Sequence, residues 1–338
     1  MLKRYDAIVL GVGGVGSAAL YHLADRGMRT LGIEQFGIAH DRGSSHGETR
    51  AIRKAYFEHP DYVPLIERAY KNWFDLEEQS GECGSLLVQQ GILEVGPVDG
   101  ILIPGLRDAC KKHGLTLEDV DGQEFEGRFP GFRLPAGNVA VYEPDGGFLH
   151  VERCIKTYIA QAKSLGADLV FDQPVLQWKA IGGGIELKTS QATYYADRLV
   201  ITAGAWASQM LGQCGIHFKV LRKHLHWYQV PKDNYAISSG SPVFFYERPE
   251  GCYYGFPCLE SDSRYSNSIK IAEHSGGEII LDPNHHDSQR DPAEVNRVER
   301  FLSDCMPAVT RNSLGHATCM YTMSTDEHFI IDQHPEFE

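Results

Sequence analysis

Residues 5–27, YDAIVLGVGGVGSAALYHLADRG, restrict the start of this chain to one kind of unit. Ala7 to Leu10 is an apolar run suited to a fully buried parallel strand, and Ala18 to Arg26 repeats apolar residues at helical spacing. Between them Gly11, Gly13 and Gly16 match G-x-G-x-x-G. In that pattern the first glycine makes the tight turn, the second admits a pyrophosphate, and the third lets helix meet strand while the helix N-terminus faces the phosphates. Glycine supplies 35 of 338 residues, so the glycines alone decide little; the residues after them decide more. Met28 to Ile33 reads as a second strand that ends at Glu34, 34 − 16 = 18 residues past the last glycine. That is close to the spacing of the acid that holds a ribose hydroxyl and disfavours a 2′-phosphate. The unit is read as dinucleotide-binding, with NAD and FAD both open.

The rest of the chain is ordinary in composition, with 42% hydrophobic and 23% charged residues, so a packed globular protein is expected. A formal charge of −13 with no basic tract argues against nucleic acid or an anionic membrane as partner. No apolar stretch approaches a membrane span, and the N-terminal apolar run is interrupted by Asp6 and glycines in a way no secretory signal is. The eight cysteines, Cys83, Cys110, Cys154, Cys214, Cys252, Cys258, Cys305 and Cys319, form no C-x-x-C pair. Neither zinc nor a disulfide framework is expected, and a reducing compartment is.

Past the first unit, periodicity predicts helices over 62–79, 101–113 and 151–165 and strands over 86–95, 168–171, 175–179, 184–189 and 192–195. The strand DRLVITAGAW (197–206) returns to a small-residue turn at the nucleotide edge. Strands over 219–230, 242–246, 252–256 and 268–274 come after it. The expected class is α/β (α+β), a dinucleotide domain entered several times with a mainly antiparallel sheet domain interleaved.

Several side chains invite a chemical reading. The loop GSSHGETRAIRKAY gathers His46, Thr49, Arg50 and Arg53. Arginine forks there suit an anionic substrate or an anionic reduced ring, the alternative being a solvated basic helix start neutralised by Glu48 and Glu58. In KHLHWYQV, His224, His226 and Tyr228 share one strand face, which is read as packing ahead of metal, and NHHD (284–287) reads as a polar loop. Tyr253 and Tyr254 before Gly-Phe-Pro suit a pocket wall. Lys270 lies between Ile269 and Ile271 as an inward-pointing charge, either snorkelling or kept for function.

Taken in order, GxGxxG with Glu34, GSSHGETRAIRKAY, LVITAGAW, YYGFP, SIKIAEH and ATCMYTMSTDEHFIID resemble the monomeric sarcosine oxidase and N-methyltryptophan oxidase family of flavoproteins, which includes the peroxisomal sarcosine and pipecolate oxidases. The resemblance runs over essentially the whole chain and implies an FAD-dependent amine oxidase. Its substrates would be N-methyl or cyclic secondary amino acids, with hydride passing to flavin and O2 leaving as hydrogen peroxide. It further implies that Gly11, Gly13, Gly16 and Glu34 hold the adenosine end of FAD, with Ser44 and Thr49 also on the cofactor, and that Cys319 carries the flavin covalently. His46 and Arg50 would sit beside the flavin, Arg53 would receive the substrate carboxylate, Tyr254 and His274 would line the pocket, and Lys270 would activate oxygen.

The FAD-binding domain is then expected over 1–86, 149–220 and 328–338 and the substrate domain over 87–148 and 221–327. A cytoplasmic monomer is implied, with a peroxisomal location as the alternative. HWYQV and EHSGGEII look more like the N-methyltryptophan oxidases, GSSHG and RKAY more like the peroxisomal members, so the substrate stays open. The family continues past Glu338 with a strand, a G-F-S-G-H-G-F-K segment and a helix, and on that pattern the C-terminal part of the FAD domain is expected to be missing here. An FAD-linked dehydrogenase of the same fold and a truncated, non-catalytic homologue are the alternatives.

Overall fold

The opening motif folds as strand, turn and helix, and everything else is placed by it. In the computed structural model, which describes residues 4–82, 84–212, 214–260, 263–285 and 287–337, β1 (Arg4–Leu10) runs into α1 (Gly14–Asp25) and returns as β2 (Thr30–Ile33) parallel to β1. Ala7 to Leu10 are buried on both faces, as a central parallel strand requires. Gly11 has φ +88°, and a Cβ there would lie 2.6 Å from the Thr202 carbonyl oxygen. A Cβ on Gly16 would lie 1.8 Å from the Gly11 oxygen, so only glycine lets α1 start this close to β1.

The chain continues through β3 (Thr49–Ile52), α2 (Val63–Ser80), β4 (Leu87–Val88), β5 (Ile92–Pro97), α3 (Leu102–His113), β6 (Glu118–Val120), α4 (Phe125–Arg128), β7 (Asn138–Glu143) and β8 (Gly147–His150). Next come α5 (Val151–Ser164), β9 (Asp168–Val170), β10 (Val175–Ile181), β11 (Gly184–Thr189), β12 (Thr193–Ile201) and α6 (Ala207–Met210). The last third holds β13 (Lys219–Gln229), α7 (Lys232–Tyr235), β14 (Val243–Arg248), β15 (Gly251–Phe256), β16 (Ser268–Glu273), β17 (Glu278–Ile279), α8 (Pro292–Cys305) and β18 (Ser313–Met323).

Three sheets result. The first has the order β10-β11-β12-β1-β2-β9, parallel around β1 and antiparallel in the β10–β12 meander. The second has nine strands, β17-β13-β16-β15-β14-β5-β7-β6 with β18 added on β13, and is antiparallel except at β14–β5. The third, β3-β8-β4, is small and ties residues 49–52 to 87–88 and 147–150. It crosses the boundaries expected at 86/87 and 148/149. The mixed α/β class with a Rossmann-like sheet and a second, mainly antiparallel sheet is as expected.

Local readings differ in several places. The expected strand over 86–95 is two, β4 and β5, and the separate strands at 192–195 and 197 onward are one, β12. Strands β3, β7, β8 and β18 and helix α8 are additional to the expected elements; α8 is amphipathic, its buried Val298, Phe301, Leu302 and Cys305 forming one stripe behind the Asp291 cap. The basic helix start considered for Arg50 and Arg53 is a strand: Arg50 lies within β3 and Arg53 just beyond it. Cys83 and His286 lie outside the described residues; the other seven cysteines are free. Among the described residues no helix is long and apolar enough to cross a membrane.

One face of the nine-stranded sheet is covered by α8. Val298, Phe301 and Leu302 pack there on Tyr228, Phe244, Tyr246, Tyr253, Ile269 and Ile271, with Phe301 stacked on Tyr253 at 4.6 Å. Burying Phe301 alone contributes about 2–3 kcal/mol. Because side chains alternate along strands, Lys223, Leu225 and Trp227 of β13, Lys270 and Ala272 of β16, and Cys319 of β18 fall on the opposite face. That face looks toward the loop leaving the first βαβ unit.

Candidate active site

The loop 44–49 is fastened from three sides. Lys270 Nζ donates to the carbonyl oxygens of Gly47 at 2.6 Å and Thr49 at 2.7 Å. Glu152, in the first turn of α5, accepts from the Gly47 N–H at 2.7 Å and from the Glu48 N–H. Glu48, held at φ +73°, accepts from the Trp227 indole at 2.9 Å and from the Arg264 main chain. Glu48 thus serves the loop and does not neutralise Arg50, contrary to one expectation. Arg50 instead donates to the carbonyls of Thr49, at 2.8 Å, and Ser44, and the Ser44 hydroxyl donates to the Met320 carbonyl, next to Cys319.

The chemistry of this cluster is set by burial. Lys270 is 3% exposed, its ammonium 4.2 Å from the centre of the Phe256 ring. Burial, reinforced by Arg50, pulls its pKa well below that of a free lysine, and Glu48 and Glu152 oppose the fall. Burial also lowers His46 to about 4, with Arg50 adding to it, so its ring is neutral at pH 7. Cys319 lies opposite Lys223 in the β13–β18 register. Burial pushes its thiol up, while Arg50, Lys270 and Lys223 pull it down.

A second group stands beside the first. Tyr254 and Tyr321 flank His274, with ring centres 6.1 and 5.8 Å away, and the Tyr321 hydroxyl lies 3.4 Å from His274 Nδ1. Burial lowers His274 to about 4, helped by Arg53 and Lys223. Arg53 places Nη2 on both oxygens of Glu58, at 2.8 and 2.9 Å, and stacks on Tyr56 at 4.4 Å and Phe57 at 5.1 Å. Its fork is therefore occupied by an acid of its own segment, one of the two neutralising acids considered for it.

Gly11, Gly13, Gly16 and Glu34 form a third group at the ends of β1 and β2. Glu34 is 4% exposed and accepts from the Val12 N–H at 2.8 Å and the Phe36 N–H at 3.1 Å, with His40 Nε2 3.5 Å away. It is a buried cap of the glycine turn. A Cβ on Gly13 would meet nothing within 4 Å, and α1 begins without a side-chain cap, so its first N–H groups are free for an anion. His46 Nε2 and Thr49 Oγ1 are buried without a hydrogen-bond partner. Open cradle, free helix start and orphaned polar atoms fit a dinucleotide stretching from the glycine turn toward Lys270.

A model of the family described as FAD dependent oxidoreductase matches residues 6–338. The chain belongs to the FAD dependent oxidoreductase family. It is 35% identical over 338 residues to a monomeric sarcosine oxidase of Streptomyces avermitilis, covering 99% of this chain and 86% of that one. It is 34% identical to an N-methyl-L-tryptophan oxidase of Escherichia coli, covering 98% and 87%. The solved structure of NikD, an amino acid oxidase, shares the fold with a TM-score of 0.83 at 23% identity, over 96% of this chain and 83% of that one. Glycine oxidase from Geobacillus kaustophilus does so at 0.78 and 18%, over 98% and 86%.

Sequence reasoning missed Glu152, Trp227, Tyr321 and Lys223. Glu152 and Trp227 act from other elements on the loop backbone, which no spacing announces. Tyr321 sits in the C-M-Y-T stretch two residues after Cys319, on the same strand face, and strand alternation was the signal that could have found it.

Proposed function

We propose that the chain, with FAD bound, oxidises secondary amino acids of the N-methyl or cyclic type. The observation that carries this is the gathering of Lys270, Cys319, Tyr254, His274 and Arg50 where one sheet face meets the loop from the nucleotide unit. Relatives at 35% and 34% identity, matched over 86% and 87% of their own length, are named monomeric sarcosine oxidase and N-methyl-L-tryptophan oxidase.

Arg53 receives the substrate carboxylate by exchanging Glu58 for it, a charge-assisted pair for a charge-assisted pair. Tyr254, Tyr321 and the neutral ring of His274 line the substrate without adding a cation beside Arg53. Lys270, fixed by two carbonyls, sets a positive charge where reduced oxygen needs it, and Arg50 adds to that field. When bound, FAD supplies the two-electron acceptor and the route to O2. The substrate amine loses two electrons and two protons to become an imine, water hydrolyses the imine, and O2 takes up the electrons and protons as H2O2. Cys319 is the side chain to which FAD is joined; Arg50, Lys270 and Lys223 offset part of the burial that leaves its thiol raised.

The test is oxygen uptake by the flavin-replete chain with sarcosine, N-methyl-L-tryptophan and pipecolate. Uptake with peroxide release is expected with at least one of them. Flavin-loaded protein that consumes no oxygen with any of the three overturns the reading.

A further inference from the structure

Glu94 sits in the middle of β5 and is 0% exposed, yet neither of its carboxyl oxygens has a hydrogen-bond partner. A buried carboxyl without partners costs stability, and nothing in the fold needs it there. Its neighbour Glu143 shows what a structural acid looks like at this depth: it accepts from the Lys54 N–H at 2.6 Å and the Ala55 N–H at 3.1 Å, and so holds the turn after Arg53.

Register and ring contacts locate Glu94. It is paired with Phe245 of β14, and strand pairs share a face. Phe245 packs on Phe57 at 5.5 Å and on His274 at 5.5 Å, and Phe57 lies under the Arg53 guanidinium at 5.1 Å. Glu94 therefore belongs to the wall that joins Arg53 to His274. Arg53 does not satisfy it: the guanidinium is turned to Glu58, and Arg53 Nε is itself buried without a partner. The electrostatics agree, since burial and the Glu143 charge push the Glu94 carboxyl well up and Arg53 pulls it back.

We propose that Glu94 is a specificity-determining residue that pairs with a second cationic group, an ammonium or guanidinium, on the side chain of the amino acid whose carboxylate Arg53 receives. A substrate with a basic side chain supplies the hydrogen-bond donors and the charge that the fold withholds from Glu94. A neutral side chain of equal length leaves the acid unpaired, and a buried polar group left unpaired is the strongest discriminator a pocket has. This rests on the amino-acid oxidase reading and names the substrate class within it.

The experiment compares Nα-methyl-L-lysine with Nα-methyl-L-norleucine, which match in chain length and differ in charge, on the flavin-loaded full chain. The wild type is expected to favour the lysine derivative roughly 10-fold or more in kcat/KM, mainly through KM. Glu94→Gln and Glu94→Val should bring the ratio toward one, and Glu94→Val should melt no lower than the wild type. A ratio unchanged in both variants, a wild type that favours the norleucine derivative, or a Glu94→Val protein that melts well below the wild type overturns the proposal. Isothermal titration of the same two compounds reads the charge preference without turnover. A lysine preference in binding without any oxidation overturns the oxidase reading and keeps Glu94's role; oxidation with equal affinities does the reverse.

Discussion

The ammonium of Lys270 donates to the carbonyl oxygen of Gly47 at 2.6 Å, tying the centre of the antiparallel sheet to the loop that leaves the nucleotide unit. The two residues are 223 positions apart, and this contact brings the two halves of the site together. The two carbonyls hold the Lys270 nitrogen in place where a free side chain would move away, while burial pulls its pKa well below that of a free lysine.

Lys270→Met is expected to lower oxygen uptake by roughly 10²-fold or more, since it removes a donor and a charge aimed at reduced oxygen. Turnover with an artificial electron acceptor in place of O2 should fall far less. Equal losses with both acceptors would mean that Lys270 acts on the substrate step or on the loop.

For Arg53 the outcome depends on what the substrate carries. Arg53→Met should cost amino-acid substrates roughly 10²-fold in kcat/KM and simple secondary amines much less. Glu58→Gln, which frees the fork in advance, should lower KM by no more than about 5-fold, because a partly exposed pair contributes only ~0.2–1 kcal/mol. A Glu58→Gln protein with raised KM would show that the pair orients Arg53.

Glu34 caps two main-chain N–H groups, so Glu34→Ala is expected to lose stability as well as flavin, by about 1–3 kcal/mol for the donors left buried. Glu34→Gln, which keeps acceptor oxygen, should be the milder change in melting temperature while still retaining less FAD per chain than the wild type. Full flavin stoichiometry in both variants refutes the ribose assignment.

Cys319→Ser should release all FAD on acid precipitation, whereas the parent chain should retain yellow colour in the pellet. Acid-stable flavin in the serine variant places the bond elsewhere.

The last prediction concerns pH. His226 is 1% exposed, both ring nitrogens lack hydrogen-bond partners, and burial lowers its pKa from 6.5 to about 4. Between those values the unfolded chain binds the extra proton, so His226 contributes stability that is present above pH 6.5 and is lost as pH falls toward 4. Glu294, raised by burial to about 7 and with Oε1 3.7 Å from His226 Nε2, works in the opposite direction, with stability lost as pH rises toward 7, so the acid limb below about pH 6 is the part of the curve that reads His226. Urea midpoints of His226→Leu against wild type, measured from pH 7 to 4, should show a flatter acid decline in the variant. Parallel curves would mean that His226 is already charged in the fold.

The amino-acid sequence determined by itself what depends on local rules. The first βαβ unit, its glycines and the helices at 63–80, 102–113 and 151–164 arise from periodicity and turn chemistry, which act within a few residues. Ordered motifs likewise pointed to the family. Only the tertiary structure decided that Glu34 is buried, that Glu48 serves Trp227 and the loop while Glu58 takes Arg53, and that Glu94 has no partner. Each of those depends on which strand lies beside which, and hence on register set by residues far away in the chain. β18 pairing with β13 puts Cys319 opposite Lys223, and β16 puts Lys270 under Gly47. No local pattern encodes such pairs, because burial on folding creates both the electrostatic shifts and the competition for hydrogen-bond partners.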